Sequence, residues 1–234
     1  MKTITVCSLV LMLSSPVFAL SFIGPATPEM SKGQINIGTE GFVGECELTF
    51  DVLGYEISGT IKPSGFGFRP GYCIADDWEI FGRLGLARID DPGRDYTESA
   101  FVSYLESLDL AWGLGTRTTL IRKDGFAFGI LAQADWSYQE EYDLEVELNT
   151  LLITTSLTFR KDWFALYGGP FLRVLSGDAD FMYMGSSIPI GIERDGEIGA
   201  YVGLMLGEKP DRFCVEFQHA NDSSFVALSV THLF

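Results

Sequence analysis

The chain has 234 residues, 16 of them basic and 32 acidic, for a net charge of −16 at pH 7. So acidic a chain is a poor partner for nucleic acid, whose phosphates repel it. Its 4 cysteines are Cys7, Cys46, Cys73 and Cys214, too widely spaced to read as a disulfide framework or a metal-ligand set.

The first stretch, MKTITVCSLVLMLSSPVFA, has one positive charge at Lys2, an apolar run from Ile4 to Leu13 and a polar break at Ser14-Ser15-Pro16. It closes on small residues at Val17 and Ala19, the pattern of a secretory signal peptide covering residues 1–19. The apolar run is too short to span a bilayer as a helix. Residues 20–32 follow as a short Pro-containing lead-in, and residues 33–234 read as one domain without repeats or linkers.

After residue 20 no segment is long and apolar enough for a transmembrane helix. Yet 47% of the sequence is apolar and 13% aromatic, with 26 glycines. Period-two alternation accounts for this. The segments predict about ten strands, at 33–50, 58–75, 77–90, 106–121, 125–139, 146–160, 163–176, 196–207, 212–220 and 223–234. The first loses clean alternation around Gly41–Gly44, where a bulge or a division into two shorter strands is expected. The third places Trp78, Ile80, Leu84 and Leu86 opposite Glu79 and Arg83, and the fourth places Leu110, Trp112 and Leu114 opposite Asp109, Gly113 and Arg117. The last sets Val226, Leu228 and Val230 on one face and ends on Phe234.

The turns alternate in length. Short polar ones fall at Asp76-Asp77, Asp124-Gly125, Arg160–Asp162 and Gly207–Asp211, and Asp-Gly is a specific hairpin signal. Longer connections are expected near 51–58, 90–106, 140–146 and 177–195, with a short one at 220–223.

A soluble barrel points its apolar face inward. Here the polar face is crowded with glycine, which suits a packed lumen better than a surface. It also carries Arg69, Arg83, Arg117, Arg160 and Arg173 against Glu79, Asp109, Asp135, Glu197 and Glu216, the balance of a buried charge network. Trp78 and Trp163 beside short turns, and Trp136 near the opposite end, fit the aromatic girdles of a membrane barrel. The predicted fold is therefore all-β: one transmembrane, antiparallel, up-and-down barrel of about ten strands, with eight or twelve as alternatives.

The signal peptide, the alternating strands and the ending FVALSVTHLF resemble bacterial outer-membrane β-barrels of the small OmpA-like or porin type. In that family the last strand carries an assembly signal, matched here by Phe234, Val230, Leu228 and Val226; His232 departs from the pattern. The resemblance implies the cell outer membrane, outer-membrane lipid and the barrel-assembly machinery as partners, a monomer, and a periplasmic position for residues 20–32. It implies a structural, adhesive or narrow small-solute channel role without catalysis, cofactor or metal. A general porin is excluded, since open channels need about sixteen strands.

One alternative is a lipid-modifying hydrolase. EFQHANDSSF loosely resembles the His-x-Ser-Asn segment of lipid A deacylases, with His219 as base, but Asn221 stands at the position of the serine and Ser223 or Ser224 would have to serve. A second alternative is a soluble exported barrel binding an apolar ligand. The acidic residues of the longer connections, such as Asp178 and Asp180, read as a solvated face.

Overall fold

A computed structural model describes residues 22–52, 55–90, 109–141, 144–183, 186–221 and 223–234. They form ten strands: β1 (Ile35–Val52), β2 (Tyr55–Ala75), β3 (Trp78–Asp90), β4 (Asp109–Lys123), β5 (Phe126–Glu141), β6 (Leu144–Lys161), β7 (Phe164–Tyr183), β8 (Ser186–Leu206), β9 (Asp211–Ala220) and β10 (Ser223–Leu233). Each pairs antiparallel with its sequence neighbours, and β10 closes on β1 from Asn36↔Leu233 to Cys46↔Ser223. Closure satisfies the backbone groups that an open edge would expose, as a bilayer demands.

The short connections have the chemistry their geometry requires. Asp124 (φ 48°) and Gly125 (φ 82°) both take positive φ, as a tight hairpin turn with the strand twist needs. The expected bulge or division at Gly41–Gly44 is absent, for β1 keeps one register against β10 through this stretch. Gly44 serves close packing instead: a Cβ there would lie 2.0 Å from the Phe225 ring.

Several strands run further than expected. The segment 177–195, predicted as a connection, is mostly the outer ends of β7 and β8, of 20 and 21 residues. Residues predicted as connections at 51–58 and 140–146 are likewise mostly strand. Polar and turn-forming residues interrupt the alternation there, as at Gly177–Asp180 and Ser186-Ser187, so the pattern reads as a connection, whereas hairpin pairing simply propagates. Residues 91–108 lie outside the described set.

The β9–β10 hairpin is short, of 10 and 11 residues. Beyond its tip β8 and β1 pair directly, at Phe50↔Ile192 and Asp51↔Gly191. The wall thus narrows from ten strands to eight toward this outer end.

Side chains alternate across the wall, with the usual order of a soluble barrel reversed. Ile198 and Leu157 are 70% and 63% exposed outside, while Glu79 and Glu216 are 0% exposed inside. The described part of the N-terminal lead-in, residues 22–32, enters the barrel, where Phe22, Ile23, Ala26, Thr27 and Met30 are buried. The reason is room: side chains just fill an eight-stranded barrel, ten strands enclose more, and the chain fills the remainder with itself.

A candidate functional site in the plugged lumen

Inward positions carry opposite charges that meet, some between adjacent strands and some between strands one apart. Arg83 on β3 donates through Nε and Nη2 to Glu40 Oε1 at 2.9 and 2.6 Å, and through Nη1 to Asp135 Oδ2 at 3.1 Å. Gln133 Nε2 donates to the same Asp135 oxygen at 3.1 Å. Arg117 on β4 grips Glu79 on β3, Nε to Oε2 at 2.8 Å. On the other side, Arg173 stands 3.5 Å from Glu197 and donates to Gln218 Oε1 at 2.7 Å, and Ser223 donates to Glu197. Arg69 lies between the rings of Phe22 and Phe81, 5.3 and 5.5 Å from their centroids, a cation–π sandwich.

Glycine makes this crowding feasible at two facing positions. A Cβ on Gly113 would fall 2.0 Å from Asp135 Oδ1, and one on Gly203 would fall 2.1 Å from the Tyr167 ring.

Of the ten charges assigned to the lumen by sequence, Arg69, Arg83, Arg117, Arg173, Glu79, Asp135, Glu197 and Glu216 are buried inside. Arg160 sits instead at the mouth nearest the short turns, and the Asp109 side chain lies outside the described set. The sequence reading missed Glu40, Glu29, Arg122 and Arg212. Glu40 alternates in phase with Asn36 and Phe42, but the glycines beside it masked the period. Glu29 was lost because the lead-in carries no strand pattern at all.

Two carboxylates hold the inserted segment, one from each side. Glu216 of the wall accepts the backbone N–H groups of Ile23 and Gly24 at 3.0 and 2.8 Å, with Gln218 Nε2 as a third donor at 2.8 Å. Glu29 of the segment meets Arg160 Nε at 2.7 Å and Arg212 Nη2 at 2.8 Å. Between these anchors Thr27 bonds Thr158 at 2.7 Å, and Arg117 Nη1 donates to the Pro25 carbonyl at 2.9 Å. Arg122 donates to the Pro28 carbonyl and to Asp77. Burial pushes the Asp77 carboxyl up, against the pull of Arg122.

The aromatics assigned to interfaces face outward. Trp78 and Trp163 stand exposed by the short turns, and Trp136 stacks on Trp112 at 4.5 Å further along the wall. His232 is the odd member of the last strand's outer series. It bonds Asp211 across the β9–β10 pair at 2.7 Å and meets the Phe234 ring edge-on at 4.5 Å, a polar contact suited to a wet rim. Val226, Leu228 and Val230 share that outer face.

Of the two serines the hydrolase alternative could use, Ser223 cannot act with His219. Ser223 points inward to Glu197, whereas His219 points outward. The outward serine is Ser224, whose Oγ lies 2.9 Å from His219 Nδ1, because adjacent strand residues face opposite sides. Cys46, Cys73 and Cys214 are buried.

An apolar exterior around a charged, packed interior, closed by antiparallel hairpins, is the build of a transmembrane β-barrel. No protein-family model matches the chain, nor does any curated protein. Similar solved structures include the outer membrane protease OmpT from Escherichia coli, at 9% identity over 86% of this chain and 96% of that one, with a TM-score of 0.49. The translocator domain of autotransporter NalP from Neisseria meningitidis aligns at 10% identity over 88% and 90%, TM-score 0.43. The attachment invasion locus protein Ail of Yersinia pestis aligns at 14% over 87% and 99%, TM-score 0.33. The likeness is one of barrel architecture and carries no activity with it.

Proposed function

We propose that this chain is an integral barrel of the bacterial outer membrane whose lumen is closed, and whose role is structural or adhesive display at the cell surface. The observation that carries this reading is the occupation of the lumen by residues 22–30, pinned at Glu216 and Glu29 inside an apolar-faced wall. A tilted strand needs about 9–11 residues to cross a bilayer. β7 and β8, at 20 and 21, therefore project well beyond it as a hairpin bearing exposed Asp178 and Asp180. Outer-membrane lipid is the partner of the apolar belt. The barrel-assembly machinery reads Phe234 with Val230, Leu228 and Val226, and the self-closed wall needs no second copy.

Fractionation tests the location. The protein is expected in the outer-membrane fraction with a gel migration that shifts on heating; recovery as a soluble periplasmic protein would sink the reading and favour a soluble ligand-binding barrel.

A second reading attaches to the His219–Ser224 pair, an imidazole and a hydroxyl within bonding distance on the lipid-facing side. It is the geometry from which a histidine activates a serine. Loss of an acyl chain from lipid A that depends on both residues, and vanishes in His219→Ala, would favour it. An unchanged acyl pattern removes it.

A further inference from the structure

We propose that the mouth of the lumen nearest the short turns is a binding site for a small oxyanion, carboxylate or phosphate, which the chain's own Glu29 carboxylate occupies until it is displaced. On the reading above this mouth faces the periplasm, but the binding chemistry does not depend on that assignment.

The argument starts from charge. Three guanidinium groups from three strands converge on Glu29: Arg160 at 2.7 Å, Arg212 at 2.8 Å and Arg122 at 3.8 Å. One carboxylate, with Asp77 against Arg122 at 2.7 Å, answers three cations. Guanidinium forks are shaped for planar, multidentate capture of carboxylate and phosphate, so the cluster is built as an anion receptor whatever fills it.

The second observation is room beside it. A cavity of ≈ 40 Å³ adjoins Glu29, and its lining includes Arg69, Arg117 and Arg212. Arg69 is buried, with its Nε lacking a partner and its guanidinium held by aromatic rings. That volume admits about one water, so an oxyanion enters only by taking the place of the Glu29 carboxylate. Vacating that carboxylate joins its volume to the cavity and presents further guanidinium groups to the newcomer.

The third is how weakly the occupant is tied down. Glu29 belongs to a segment with no strand ladder of its own between Phe22 and Met30. The segment is held by side-chain anchors and one backbone bond, Asp77 N–H to the Met30 carbonyl at 3.0 Å, before it joins the wall at Gly33 N–Cys73 O, 2.8 Å. Exchange at Glu29 therefore costs a few local contacts rather than a strand. A carboxylate that only neutralised the arginines would need neither the cavity nor the unpartnered Nε of Arg69 beside it.

The test is calorimetric titration of inorganic phosphate into the full chain, refolded in zwitterionic detergent at low ionic strength, with barrel formation checked by heat-dependent gel migration. Glu29→Ala is expected to bind one phosphate per chain at least tenfold more tightly than the unaltered protein, and Glu29→Ala with Arg212→Gln is expected to lose that gain. Should Glu29→Ala not refold, Glu29→Gln, which keeps the shape and removes the charge, must show the same direction of change. Phosphate binding no tighter in either variant, or a gain indifferent to Arg212→Gln, overturns the proposal. Neither result bears on whether the unaltered barrel conducts, so this inference and the closed-lumen reading fail separately.

Discussion

Replacing Arg83 by Met is expected to be the most damaging single change in the lumen. The guanidinium is 3% exposed and links two carboxylates that are themselves buried, Glu40 at 2.6 Å and Asp135 at 3.1 Å. Methionine fills much of the same space but leaves both acids without a cation. Removing one partner of a buried ion pair costs about 3–5 kcal/mol, and with two carboxylates stranded the upper end applies. Against a whole-protein stability of roughly 5–15 kcal/mol, that is a large fraction. The assay is urea unfolding of the refolded barrel in micelles, followed by tryptophan fluorescence and gel migration. The triple variant Arg83→Met, Glu40→Gln, Asp135→Asn carries no stranded charge and should regain most of the loss. A cost below about 1 kcal/mol for Arg83→Met, or a triple variant less stable than the single one, would refute a charge network held together by pairing.

Other perturbations probe the inserted segment and the rim. A Cβ on Gly129 would lie 2.3 Å from the Ala26 carbonyl, so Gly129→Leu should expel residues 22–30 and raise their amide exchange while the wall stays protected. Glu216→Ala leaves the N–H groups of Ile23 and Gly24 without an acceptor, at about 1–3 kcal/mol for each buried donor; exchange at those amides should rise before exchange of the strands. His232→Ala removes an exposed pair with Asp211 and should shift the unfolding free energy by less than about 1 kcal/mol, measured by the same urea titration. Deleting Phe234 should lower the amount of barrel reaching the outer membrane while leaving the unfolding midpoint of purified barrel nearly unchanged; normal surface levels would contradict its role in assembly.

The architecture could be read from the sequence because alternation in a barrel wall is enforced residue by residue. Each of Leu110, Trp112 and Leu114 had to face out, and each of Ala111, Gly113 and Arg117 had to face in. The outer ends of β7 and β8 were hidden by polar and turn-forming residues: Gly177, Asp178 and Asp180 read as a connection, yet the β7–β8 pairing continues through them. The charge network was legible where alternation was clean, as at Glu79 and Asp135, and lost at Glu40 among its glycines. The inserted segment left no local signal. "FIGPATPEM" has neither period two nor period 3.6, and its position depends on Glu216 and Arg212, more than 180 positions away in sequence. His219 illustrates the same limit at short range. Its neighbours Ser223 and Ser224 look interchangeable in the sequence, and only the register Ser224↔His219 decides which of them it meets.

The most direct test of a membrane-spanning barrel closed by its own N-terminal segment is electrical recording of the purified full chain in planar lipid bilayers. Insertion without current steps is the expected result, because residues 22–30 and the Arg83 and Arg173 clusters fill the lumen. Reproducible unitary steps from the unaltered protein would contradict it.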